Sequence, residues 1–184
     1  FDEAGPFSDG KAVAGFDNRN GIIGRDGKFI INPQFSAAII DGDRILVKLD
    51  GKYGWCDKTG AFVINPQFRE ALPFRGSKLA AVRTGDEWGY AGTDGLYRIN
   101  PQFSAAMSFV NGIAIVRSER KSGIIDESGK YIVNPQFDRP SRELVAHFAT
   151  GRCELTSVNT DYFNMKPVLD LINPEALLEL TDFR

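Results

Sequence analysis

The chain has 184 residues, 42% of them hydrophobic, and its 22 basic and 24 acidic residues leave a formal charge of −2; that balance is ordinary for a globular chain in water. The charges are spread without blocks, which argues against the clustered basic face of a nucleic-acid binder. No apolar run approaches the roughly 20 residues of a membrane span, no signal-peptide pattern is visible, and a start at Phe1 rather than Met reads as a processed or cloned fragment.

The first stretch, "FDEAGPFSDGKAVA" from Phe1, reads as an aromatic-rich loop entering a small-apolar strand near residues 11–15. Further strands are expected near 21–24 and 28–32. Between them stands Asp26-Gly27, a hairpin-turn signal, because glycine takes positive φ without a Cβ clash. In the third strand Phe29 and Ile31 share one face and Ile30 takes the other. Then comes "NPQF", Asn32–Phe35. Proline has no N–H for a ladder and fixes φ, so the strand is expected to stop there, with Phe35 entering the core.

The pattern returns three times. "NPQF" recurs at Asn65–Phe68, Asn100–Phe103 and Asn134–Phe137. Eleven residues before each Asn stands a glycine: Gly21, Gly54, Gly89 and Gly123, at intervals of 33, 35 and 34 residues. A second glycine follows six residues later, at Gly27, Gly60, Gly95 and Gly129. A fixed period in this range marks a repeat array. The aromatic position is Phe29, Phe62, Tyr97 or Tyr131, and the aliphatic one is Ile31, Ile64, Ile99 or Val133. Between them lie Ile30, Val63, Arg98 and Ile132; Arg98 makes that second face wet in one unit, and three apolar residues suggest that it is otherwise covered. Downstream of the repeated Phe a second theme appears: an Ala three residues on, and a Phe six residues on at Phe7, Phe74 and Phe109. The length variation falls in this segment, as loops tolerate. The expected fold is therefore all-β: a tandem repeat of three-stranded meander units with period 33–35, an open array being favoured over a closed small propeller.

The C-terminal part departs from the pattern. Residues 1–158 are expected to form the repeat domain with an atypical cap, as terminal repeats often are, and 159–184 an extension. In "NPEALLEL", Asn173 suits an N-cap and Pro174 the first helical position, so a short helix over Pro174–Leu180 is expected.

Residues that could carry chemistry are few. His147, the single histidine, and Cys153 lack an orienting motif for a nucleophile pair, and one His with two distant Cys makes no zinc centre. Cys56 and Cys153 could pair, but small buried apolar roles are the commoner use. Asp57, Asp94 and Asp126 beside glycine turns could suggest calcium, yet turn formation suffices to explain them. The four Gln of "NPQF" could line a ligand row or serve the fold. No enzyme activity, metal or cofactor is expected.

The combined motif resembles the bacterial WG-repeat family, named for a Trp-Gly pair. That pair stands here as Trp88–Gly89, with the related "YGW" at Tyr53–Trp55, while Asn20–Gly21 and Ser122–Gly123 depart from it. The resemblance covers residues 1 to about 140 and implies a repeat scaffold with no shared reaction. The expected function is non-catalytic protein–protein interaction, through a candidate surface of Trp55, Trp88, Tyr90, Arg83 and Arg98. A carbohydrate- or cell-envelope-polymer-binding module that stacks sugars on the turn aromatics is the alternative. Neither nucleic-acid binding nor membrane insertion is expected.

Overall fold

The computed structural model describes residues 1–137, which form sixteen strands and no helix. The first unit holds β1 (Glu3–Ala4), β2 (Lys11–Phe16), β3 (Arg19–Gly24) and β4 (Phe29–Phe35). The second holds β5 (Ala37–Asp41), β6 (Arg44–Leu49), β7 (Lys52–Asp57) and β8 (Phe62–Phe68). The third holds β9 (Glu70–Ala71), β10 (Leu79–Arg83), β11 (Trp88–Gly92) and β12 (Tyr97–Phe103). The fourth holds β13 (Ala105–Ala106), β14 (Ile113–Ser118), β15 (Lys121–Asp126) and β16 (Tyr131–Phe137). Each unit is one antiparallel four-stranded sheet in chain order. The four sheets stand in tandem, and no strand pairing among the described residues joins the fourth to the first. The expected cap and C-terminal helix, at Pro174–Leu180, lie outside the described residues.

Two expectations need correction. The segment after each repeated Phe contributes a fourth strand rather than a loop, running two to five residues before β2, β6, β10 or β14. A two-residue strand shows no alternation in sequence; only its pairing, such as Val82 with Ala71, reveals it. Nor does "NPQF" end a strand. β4, β8, β12 and β16 run through it to the Phe. Proline is tolerated because these strands are sheet edges with a bulge, and its bias on the preceding Asn is toward extended backbone.

The bulge explains the first glycine. Asn20 pairs with Phe35 and Ile22 with Ile31, so Gly21 alone faces Asn32, Pro33 and Gln34. The surplus backbone folds over the glycine. A Cβ on Gly21 would stand 2.5 Å from the Ile31 carbonyl oxygen and 2.8 Å from the Pro33 nitrogen. Gly54, Gly89 and Gly123 meet their own bulges in the same way. Here glycine is needed for space, not for its φ.

The second glycine has two reasons. Gly60, Gly95 and Gly129 have φ of 94°, 80° and 84°, a region that costs other residues strain. Each also rests on the preceding unit: their Cβ positions fall 3.4, 2.8 and 3.2 Å from side-chain carbons of Ile31, Ile64 and Ile99. The turn is closed by carboxylates in two ways. In the second and fourth units Asp57 and Asp126 accept from backbone N–H groups of Thr59 and Ala61, and of Ser128 and Lys130. In the first and third, Asp26 and Asp94 sit two residues later and accept from Lys28 and Leu96. Their counterparts of Asp57 are then Gly24 and Gly92, where a Cβ would stand 3.0–3.1 Å from the carboxylate.

Three layers of core lie between successive sheets. Ile22, Phe35, Val47 and Cys56 fill the first, Leu46, Trp55, Phe68 and Phe74 the second, and Tyr90, Phe103, Phe109 and Ile125 the third. Neighbouring residues Leu46 and Val47 enter different layers, so inner strands are buried on both faces and read as continuous apolar runs. The outer face of the edge strands is less covered than expected: Ile30 and Val63 are each 45% exposed. Among the described residues no helix is long and apolar enough to cross a membrane.

Candidate functional site

The five candidate surface residues separate. Trp55, on β7, is wholly buried, with Phe74 and Phe68 at ring-centroid distances of 5.1 and 6.0 Å. Tyr90, on β11, is likewise buried, 4.7 Å from Phe109. Its hydroxyl donates to the Met107 carbonyl at 2.8 Å, and burial pushes its pKa up. Both rings are therefore core, not surface. The position after the first glycine points toward the next unit, where Phe74 and Phe109 meet it.

Arg83 and Trp88 come together at the surface. The Arg83 guanidinium lies 5.3 Å over the half-buried Trp88 ring, and its Nη2 donates to Glu70 Oε1 at 2.6 Å. Beside them a cleft of about 410 Å³ opens between the second and third units. Lys48 and Tyr53 line one side; Arg69, Glu70, Leu72 and Trp88 line the other. Lys48 repeats the motif of Arg83, its ammonium 4.9 Å over Tyr53. Such pairs contribute about 0.5–1 kcal/mol where exposed. Arg69 reaches Asp86 at 3.2 Å. Arg98 lies apart, on β12 of its own unit, 2.7 Å from the turn residue Asp94. One sequence signal could have located the cleft: Lys48 is cross-strand from Tyr53, and the repeat alignment places Arg83 and Trp88 alike. Glu70 had no such signal, because its strand was read as loop.

The cleft brings together cations, aromatic faces and one carboxylate. It has polar groups for orientation, but no nucleophile beside a base. Among the described residues no group of His, Cys, Asp and Glu could hold a metal ion, and His147 and Cys153 lie outside those residues. Cys56 is buried, and burial pushes its thiol up to about 11, which suits an inert core residue. Its suggested pairing with Cys153 falls outside the described residues. The Gln side chains of the first three units are exposed; Gln67 leans on the next turn, its Nε2 3.2 Å from the Cβ position of Gly95.

The turn acids serve their turns, and this has a pH consequence. Hydrogen bonds from Thr59 hold the Asp57 carboxyl below its ordinary 3.8, the Arg98 guanidinium does so for Asp94, and Ser128 for Asp126. A depressed folded pKa stabilises the protein above the unfolded value and loses that contribution as pH falls through the folded one. The melting temperature is therefore expected to be flat from neutral pH down to about pH 5 and to fall below about pH 4. Asp57→Asn/Asp126→Asn should lessen the drop. An unchanged acid limb in that variant would sink the assignment.

The sequence model of one family, described as WG containing repeat, matches residues 21–53, 53–88, 88–121 and 123–139. The chain belongs to this family. The WG glycine is Gly21, Gly54, Gly89 or Gly123, held by the bulge, whereas the WG tryptophan is Asn20, Tyr53, Trp88 or Ser122. The glycine recurs in every unit because backbone lies on it. The Trp position varies because it sits at the strand end, half-buried in three of the units. No curated protein matches the chain. Among solved structures, the N-terminal domain of Nup159 superposes with a TM-score of 0.46 and 13% identity, over 73% of this chain and 44% of that one. A chain in an S. cerevisiae complex, of a Dbp5 variant bound to Nup159, a Gle1 variant, IP6 and ADP, gives 0.45 and 10%, over 73% and 43%. This chain thus spans less than half the length of either.

Proposed function

We propose that this WG-repeat array is a non-catalytic scaffold that binds a protein partner across its stacked units. The observation that carries the reading is a division of labour. The residues that recur have folding roles: the first glycine lies under the bulge, the second on the preceding Ile, and the buried Phe in the layers between sheets. The residues that differ between units, such as Lys48 and Arg83 or Tyr53 and Trp88, line or border the cleft. Similar modules with different surface side chains suit an extended partner. The glycan reading is less well supported, since Trp55 and Tyr90 offer no face to a sugar.

A pull-down from the native organism tests this. The chain is expected to retain a protein, and the double variant Arg83→Glu/Arg98→Glu to retain less of it, with melting temperature as the control for folding. Should no protein be held, while immobilised cell-wall glycan binds and is lost on Trp88→Ala, the glycan reading replaces this one.

A further inference from the structure

One position in the sheet carries a cation in three successive units. Lys48 ends the second inner strand beside Leu49, Arg83 ends the third, and Arg117 stands at the same place in the fourth. Their cross-strand partners on the short first strand of each unit differ. Lys48 is opposite Ala37, Arg83 opposite Glu70, and Arg117 opposite Ala105. Only the middle cation thus has a carboxylate there, at 2.6 Å. Among the described residues Lys48 and Arg117 make no ion pair. Lys48 lies over Tyr53, and Arg117 Nη2 donates only to the Arg120 carbonyl, at 3.3 Å. Arg117 Nε, like Arg83 Nε, is buried without a partner.

The Arg83–Glu70 pair shows what this register accepts: a carboxylate beside the cation. The Ala positions leave that place open in the two flanking units. We propose that Lys48, Arg83 and Arg117 form a docking track for an extended acidic–neutral–acidic segment of a partner protein. One acidic side chain pairs with Lys48 and one with Arg117. The uncharged stretch between them crosses the middle unit, with an apolar side chain in the cleft lined by Tyr53, Leu72 and Trp88. A polymer with an acid on every unit, such as a polyuronate, fits less well. It would bring like charge against Glu70, which already neutralises Arg83. This inference rests on the protein-partner reading above and deepens it.

The test uses fluorescein-labelled peptides and anisotropy at low ionic strength, where screening is weakest. One peptide series carries two glutamate triplets joined by uncharged linkers of graded length. A glutamate homopolymer of matched length and polygalacturonate are the competitors. At least one split peptide is expected to bind best. Lys48→Glu and Arg117→Glu should each weaken it about tenfold, the effect of roughly 1.4 kcal/mol. Lys48→Arg and Arg117→Lys should bind like the unaltered chain, which separates charge from folding. Glu70→Ala should improve homopolymer binding relative to the split peptide. Equal binding of the homopolymer or of polygalacturonate, no binding of any split peptide, or indifference to both reversals overturns the track. If a protein captured in the pull-down is insensitive to Lys48→Glu and Arg117→Glu, the track falls and the scaffold reading stands. If nothing is captured, the scaffold reading itself falls.

Discussion

Gly89→Ala is expected to destabilise the protein by about 3 kcal/mol, the upper end for adding one methyl group to a packed site. The added Cβ would lie 2.5 Å from the Ile99 carbonyl oxygen and 2.7 Å from the Pro101 nitrogen. Both are backbone atoms of the bulge, so no flexible side chain can yield. Relief requires the bulge to open, which would pull Ile99 and Phe103 out of the layer they fill with Tyr90 and Phe109. Gly85→Ala is the control, because nothing lies within 4 Å of its Cβ; it should change stability by less than about 0.5 kcal/mol. Urea unfolding measures both. Similar midpoints for the two variants would mean that the bulge is not closed over the glycine.

The second large effect concerns the repeated phenylalanine. Phe68→Ala and Phe103→Ala should each cost about 3–5 kcal/mol, the range for removing a buried ring. Each ring is 1% exposed, and each bridges units: Phe68 lies 6.0 Å from Trp55 and 6.1 Å from Tyr97, and Phe103 lies 6.3 Å from Tyr90 and 6.4 Å from Tyr131. In an array each unit is stabilised by its neighbours, so the loss falls on the coupling between sheets as well as on one sheet. Phe1→Ala should cost less than about 1 kcal/mol. That ring is 60% exposed and has one edge contact, with Phe29 at 5.2 Å. Equal and negligible shifts in melting temperature across the three would make the repeated Phe a surface feature and revive the Gln row as a ligand site.

Much of this architecture was legible because it is local. The interval between glycines set the number and length of the units. Asp26-Gly27 was readable as a hairpin turn, and Gly27 takes the left-handed conformation, at φ of 75°. The alternation of Phe29, Ile30 and Ile31 separated the two faces and put Ile31 inside, although Ile30, read as covered, stands 45% exposed. Turn chemistry and strand periodicity are properties of a few adjacent residues, so they survive in a one-dimensional reading.

What remained depended on which backbone lies beside which. Whether Asn-Pro ends a strand or bulges along a sheet edge is decided by the neighbouring strand; here Gly21 lies under three residues of β4. Trp55 and Trp88 are both tryptophans near a WG glycine, yet one is core and one borders a cleft. The two positions flank the repeat glycine, two residues apart: Trp55, just after Gly54, lies inside the layer against Phe74 of the next unit, and Trp88, just before Gly89, lies at the start of β11 under Arg83. The charge pattern of the docking track was equally hidden, since Glu70 and Arg83 meet only because a two-residue strand pairs with β10. The sequence by itself determined the repeat, its turns and its inward-facing rings. The tertiary structure alone decided which aromatics reach the surface and which cation already has its carboxylate, because those follow from pairings and contacts between units.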